Sequence, residues 1–158
     1  MLSRLVNYRG IIHERAEDAP FMGALIIAES CNNNCQGCFN QHIKDSPLYC
    51  RFANDIIDEV RTNPFNDGII LGGLEWSENP EDTIELIKLA KAARLQVMLY
   101  TGLTEEELYS RIPRSELQHC YVKFGRYDEN ALSDNYTSFG IKLASTNQYI
   151  KYITQVLT

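Results

Sequence analysis

Short apolar runs alternate with amphipathic stretches along this chain, and each run ends in a glycine-containing or polar turn. That order limits the fold more than any single motif does. Ala24–Ala28 (ALIIA) reads as a buried strand, being short, apolar and rich in β-branched residues. Phe52, Ile56 and Val60 recur at four-residue spacing, which predicts a helix over Arg51–Thr62. Gly68–Leu71 (GIIL) is a second strand, with Gly72-Gly73 directly behind it. Asn79 as N-cap and Pro80 as first helical residue open another helix, whose inward face takes in Ile84, Ile87 and Ala90. Gln96–Tyr100 (QVMLY) forms a third strand and stops at Thr101-Gly102. Thr104 and Glu107 make a capping box for a short helix. A fourth strand, Cys120–Phe124 (CYVKF), ends in Gly125-Arg126-Tyr127. Beyond it, Ser133–Thr158 alternates apolar and polar residues through Phe139, Ile141 and Leu143 before a candidate terminal helix.

Such alternation implies right-handed crossovers and an α/β fold with mostly parallel strands and crossover helices. The loops that follow the strands then emerge at one rim, where ligands bind. A closed eightfold barrel takes about 250 residues, whereas this chain has 158. The expected architecture is an incomplete (partial) TIM-like barrel or curved open sheet, as one domain over 1–158, with a side open to something large. At 44% hydrophobic and 23% charged residues, the chain is an ordinary globular one, which excludes wholesale disorder. Its net charge of −6 argues against a nucleic-acid surface. No apolar run approaches the roughly 20 residues of a membrane span, and MLSRLVNYRG lacks the pattern of a signal peptide. The expected location is therefore the cytoplasm, with no membrane or nucleic-acid partner.

A reducing compartment turns closely spaced thiols toward metal or redox chemistry rather than disulfides. Of five cysteines, Cys31, Cys35 and Cys38 fall within eight residues on the loop leaving the first apolar strand. Three thiolates on a four-iron, four-sulfur cluster leave one iron free to take another ligand. His42 stands four positions after Cys38, so a structural Cys₃His zinc site is an alternative, as are scattered buried thiols. Cys50 and Cys120 read as structural thiols that behave as small hydrophobes. His13, His42 and His119 show no paired carboxylate pattern, which gives them no acid–base role.

Cys31–Cys38 has the pattern C-x₃-C-x₂-C, which resembles the radical S-adenosylmethionine (SAM) superfamily. The longer string CNNNCQGCFN, with Gly37 before the third cysteine and Phe39-Asn40 after it, is similar to the activating enzymes of anaerobic (class III) ribonucleotide reductase. LGG at Leu71–Gly73, LYTG at Leu99–Gly102, GRYDEN at Gly125–Asn130 and STNQ at Ser145–Gln148 follow in the same order, so the resemblance runs from about Ala24 to Gln148. Three departures stand out. Leu74 separates the glycine pair from the acid Glu75, Glu17–Gly23 replaces a Gly-Pro-Gly-like stretch, and Tyr149 stands where an arginine is common.

The resemblance implies that Cys31, Cys35 and Cys38 ligate a [4Fe-4S] cluster whose open iron chelates the amino and carboxylate groups of SAM. An electron from the reduced cluster would cleave the sulfonium, giving methionine and a 5′-deoxyadenosyl radical. Gly72 and Gly73 would cradle the methionine amino group through their carbonyls, with Glu75 as a charged acceptor. Gly37, Cys38 and Phe39 would lie under the adenine, and Tyr100 and Thr101 would reach the ribose. Arg126 and Tyr127 would face substrate or partner. Read from the residues alone, Gly72-Gly73 is equally a tight turn and Tyr100 is equally core, whereas a lone Phe such as Phe39 is more often core and an exposed Arg such as Arg126 is usually a solvated charge. The implied partners are the large subunit of anaerobic ribonucleotide reductase, which would acquire a glycyl radical, and an external low-potential donor such as flavodoxin. The competing functions are a small radical SAM enzyme acting on a metabolite, in the manner of a deazapurine synthase, and a non-catalytic zinc or iron–sulfur binding module.

Overall fold

Four apolar runs lie side by side as the parallel centre of a seven-stranded sheet. The computed structural model describes residues 3–30, 47–126, 137–143 and 145–154. In chain order the strands are β1 (Leu5–Arg15), β2 (Gly23–Ala28), β3 (Tyr49–Phe52), β4 (Gly68–Gly72), β5 (Gln96–Tyr100), β6 (Tyr121–Phe124), β7 (Thr137–Ser138), β8 (Ile141–Lys142) and β9 (Tyr149–Tyr152). The helices are α1 (Ala53–Thr62), α2 (Pro80–Ala92) and α3 (Glu105–Arg111). The main sheet runs β3-β1-β2-β4-β5-β6-β9, and β7 pairs only with β8. Strands β2, β4, β5 and β6 are parallel, while β1, β3 and β9 add antiparallel edges. The fold is thus α/β with an open, mixed sheet. No closed barrel forms among the described residues, and the likeness to a TIM barrel stops at the order of the parallel strands.

Strand alternation sends side chains to two faces. Ala24, Ile26 and Ala28 of β2 point to the same side as Ile69 and Leu71, Val97 and Leu99, and Val122 and Phe124; all are buried with Ile56 and Val60 of α1, Leu86 and Ala90 of α2 and Leu108 of α3. All three helices therefore cover one face. The other face carries a smaller cluster, in which Ile70 and Met98 meet Ala19, Phe21, Ile141, Leu143 and Ile150. Burial on both sides explains why these strands read as near-continuous apolar runs. Truncating a side chain as buried as Leu99 to alanine would cost about 2–5 kcal/mol.

Several sequence expectations are corrected. Arg51 and Phe52 end β3 rather than opening the helix; Phe52 shares the four-residue spacing of Ile56 and Val60, but its backbone pairs with Leu5 of β1. The inward face of α2 is Thr83, Leu86, Ile87 and Ala90, and Ile84 lies only partly buried beside it. Asn79 does cap α2 with Pro80 at its start, although its side chain makes no capping bond. The capping box of α3 is formed in full: Thr104 Oγ1 accepts from Glu107 N, and Glu107 Oε1 accepts from Thr104 N. Where a terminal helix was expected, Tyr149–Tyr152 is a strand antiparallel to β6. β1 has no counterpart in the sequence reading. Among the described residues, no helix is long and apolar enough to cross a membrane.

Candidate functional site

The C-terminal ends of β2, β4, β5 and β6 form one rim, and a set of polar contacts joins their loops. Leaving β2, the chain is pinned at two successive residues: Arg9 Nε donates to the Glu29 carbonyl at 2.7 Å, and Glu75 N donates to the Ser30 carbonyl at 2.8 Å. The Ser30 hydroxyl also donates to Glu78 Oε1 at 3.0 Å. The cysteine loop begins one residue later. Cys31, Cys35, Gly37, Cys38, Phe39 and His42 lie outside the described residues, as does Tyr127.

Gly72 ends β4 opposite Ile27 of β2. Gly73 follows with φ of +83°, a left-handed conformation that glycine adopts freely. A Cβ on Gly73 would sit 2.5 Å from Ile27 Cγ2. The requirement for glycine at Gly73 is therefore internal to the fold. At Gly72 the corresponding Cβ would meet Leu25 Cδ1 at 3.2 Å and Tyr100 at 3.6 Å, on the face away from the helices.

Glu75 is buried, and its carboxylate accepts from Gly102 N (2.8 Å), the Thr101 hydroxyl (2.9 Å), the Ser77 hydroxyl (2.6 Å) and Ser77 N (3.3 Å). A buried carboxylate needs such donors to offset lost hydration. These bonds lock the loop after β4 to the loop after β5. Leu74, inserted between the glycines and the acid, packs into the helix-side core. Thr101 completes the link, since its N–H donates to the Lys123 carbonyl and its hydroxyl oxygen accepts from Leu103 N. Glu75 and Thr101 thus hold each other as well as the rim.

Tyr100 lies on the other face, with its hydroxyl donating to the Asp18 carbonyl at 2.5 Å. Burial, reinforced by Asp18, pushes its phenol well above the ordinary value, so it stays protonated. Lys123 is buried beside it, with Nζ 5.6 Å from the Tyr100 ring centroid and donating to the Gly125 carbonyl. Sequence reasoning passed over Lys123, although a charge inside the apolar run CYVKF is a signal for it. The strings after β6 also meet: Gln148 Nε2 donates to the Gly125 carbonyl and Asn147 Nδ2 to the Arg126 carbonyl. The Arg126 side chain is partly exposed and lies 3.8 Å from Glu107.

Two further readings change. Cys50 is exposed on β3, which is an edge strand, so it is not a packed thiol. Cys120 is buried, and burial pushes its thiol up to about 11. His13 does have a carboxylate partner, with Nε2 2.9 Å from Glu59 Oε2; α1 brings the two together from 46 residues apart. This pair lies on β1 and α1, apart from the rim.

Among the described residues, no group of His, Cys, Asp or Glu side chains is arranged to hold a metal ion. The donor set that fits a cluster is Cys31, Cys35 and Cys38: three soft thiolates on one short loop rooted at the rim. Residues 22–151 match the family model described as a 4Fe-4S single cluster domain. The chain belongs to that family. Iron–sulfur rather than zinc chemistry is what the 4Fe-4S single cluster domain carries, and the cysteine loop lies inside the matched span. No curated protein matches the chain.

Proposed function

We propose that this 4Fe-4S domain is a radical SAM activase that cleaves SAM reductively and generates a glycyl radical on the large subunit of an anaerobic ribonucleotide reductase. The observation that carries the reading is the double anchoring of Ser30 by Glu75 and Glu78. It starts the C-x₃-C-x₂-C loop beside the Gly72-Gly73 turn and the end of β5, the neighbourhood a cluster and a SAM molecule would share.

Cys31, Cys35 and Cys38 would hold the cluster. When bound and reduced, it supplies the electron that breaks the sulfonium bond. The chain's own residues bind and orient. Backbone carbonyls at Gly72 and Gly73 would accept from the methionine ammonium, and the missing side chain at Gly72 lets the backbone lie close to Leu25 and Tyr100. Glu75, already engaged by four donors, fixes the rim; this gives it and Thr101 a positioning role, and the end of β5 that Thr101 holds would reach the ribose. Gly37, Cys38 and Phe39 would face the adenine. The open sheet supports a macromolecular substrate, because a partner loop must bring a glycine Cα to near-attack distance of the 5′ carbon. An external low-potential donor such as flavodoxin would supply the electron to the cluster.

The test mixes the anaerobically prepared protein with the reductase large subunit encoded in the same genome, SAM and a strong reductant. Electron paramagnetic resonance should then show a carbon-centred glycyl radical on the reductase. If 5′-deoxyadenosine accumulates while the reductase stays radical-free, the substrate is a metabolite and the activase reading is wrong.

A further inference from the structure

At the end of the sheet opposite the rim, β5 and β6 begin beside the end of α2 and the β7–β8 turn. An open groove of about 670 Å³ lies there, within the size range of small-molecule sites. One wall is aromatic. The Tyr121 ring centroid lies 4.8 Å from that of Tyr152 and 5.8 Å from that of Phe139, and Phe139 and Tyr152 are 54% and 37% exposed. The other wall carries two cations, Lys91 and Arg94 from the end of α2, together with the His119 imidazole ahead of β6. No carboxylate stands among the described residues that line the groove, although the chain carries a net charge of −6.

The polar groups of this wall keep capacity for a ligand. Lys91 Nζ donates to the Gln118 carbonyl and to the Cys120 thiol, which leaves it one more N–H group. His119 Nδ1 lies 3.5 Å from the Tyr152 hydroxyl. The Arg94 side chain makes no hydrogen bond or ion pair among the described residues. Two of the carbonyls at the end of α2 are engaged: Leu95 N donates to the Ala90 carbonyl and Arg94 N to the Lys91 carbonyl.

The backbone points to the same place. Glu14, Arg94, His119 and Phe139 are the non-glycine residues with positive φ among the described residues, and all but Glu14 line this groove. Arg94 follows the end of α2 at a position that glycine usually fills. Phe139 takes the first central place of a two-residue hairpin turn, ahead of Gly140, where asparagine is the usual choice. Three non-glycine residues at left-handed positions thus line one groove, which makes it a candidate binding site.

We propose that this groove binds a nucleoside phosphate, its base against Tyr121, Phe139 and Tyr152 and its phosphates on Arg94, His119 and Lys91. A purely apolar ligand would leave the cations unused, and an inorganic anion would leave the rings bare. The Gln96 carboxamide, also in the lining, offers both a donor and an acceptor to a base edge. This site stands independently of the activase reading.

Calorimetric titration of the full-length, cluster-loaded protein tests it, with ATP, adenosine, inorganic tripolyphosphate and an acidic aromatic peptide as probes. ATP should bind saturably, and adenosine and tripolyphosphate should each bind at least roughly tenfold more weakly, since each loses one wall of contacts. Arg94→Gly and Phe139→Asn restore the usual residues at strained positions, so both should fold at least as stably as the wild type. Each should nevertheless weaken ATP binding roughly tenfold. The proposal is overturned by the absence of saturable ATP binding, by tripolyphosphate binding as tightly as ATP, or by the peptide binding where ATP does not. Unchanged ATP affinity in both variants would overturn it as well.

Discussion

Replacing Gly73 with alanine should destabilise the protein by about 2–4 kcal/mol, whereas the same change at Gly72 should be close to neutral. At Gly73 two costs add. An L-residue at φ of +83° costs about 1 kcal/mol. The new Cβ would also lie 2.5 Å from Ile27 Cγ2 and 3.3 Å from Ile27 Cα, so part of β2 must shift, an overpacking cost of about 1–3 kcal/mol. At Gly72 the nearest atom is the Leu25 Cδ1 methyl at 3.2 Å, the end of a flexible side chain. Lower chain entropy in the unfolded state returns about 0.4–1 kcal/mol at either glycine, which offsets the contact at Gly72 but only a small part of the cost at Gly73. For a chain of this length each kcal/mol is worth about 2–4 °C, so Gly73→Ala should melt roughly 10 °C below the wild type and Gly72→Ala within about 3 °C of it. Thermal scans by circular dichroism, run without oxygen on cluster-loaded protein, measure both. Gly72→Ala should instead weaken SAM binding, because its methyl narrows the space beside Tyr100. A Gly73→Ala protein as stable as the wild type, or one more stable than Gly72→Ala, would refute the division of labour between the two glycines.

Serine at Cys31, Cys35 or Cys38 should abolish iron retention, while Cys50→Ala and Cys120→Ala keep about four irons per chain by metal analysis. Iodoacetamide should modify exposed Cys50 in the folded, cluster-loaded protein and spare Cys120, whose buried thiol is raised to about 11; peptide mapping reads the outcome. A hydrogen bond from Lys151 on β9 holds the Glu105 carboxyl on α3 below its ordinary value of 4.5, against the opposing effect of burial. A depressed carboxyl stabilises the fold above its unfolded value and loses that contribution as pH falls through the folded one. Glu105→Gln should therefore cost about 0.5 kcal/mol at pH 7, small because the pair is partly exposed, and nothing once Glu105 is protonated in the wild type; denaturation midpoints across pH 3–7 check this.

Legibility in the sequence followed burial. β2, β4, β5 and β6 are covered on both faces, so their apolar runs announced them, and the loops behind them were placed on one rim from their order alone. β1 is less visible because Arg9, His13, Glu14 and Arg15 interrupt it and both its neighbours are antiparallel. The strand β9 (YIKY) buries mainly Ile150 at the sheet edge, which leaves no periodicity to read over four residues. At the site, the cysteine spacing and the glycine pair stand out locally. What Glu75 does depends on Thr101 and Gly102, which are 26 and 27 positions away, and only the pairing of β4 with β5 brings them together. Tyr100 meets the Asp18 carbonyl from 82 positions away, on the connection between β1 and β2. Motifs show which residue types are present; their division into binding and positioning roles appears only after the chain has closed on itself.

The most direct test of the account is whether the anaerobically purified protein, reduced with dithionite, converts SAM to 5′-deoxyadenosine and methionine, followed by chromatography with Cys35→Ser as control. The expected result is 5′-deoxyadenosine formed by the wild type and absent from the variant. A fully iron-loaded, reduced wild-type protein that leaves SAM intact would contradict the account and reduce the chain to a cluster-bearing binding module.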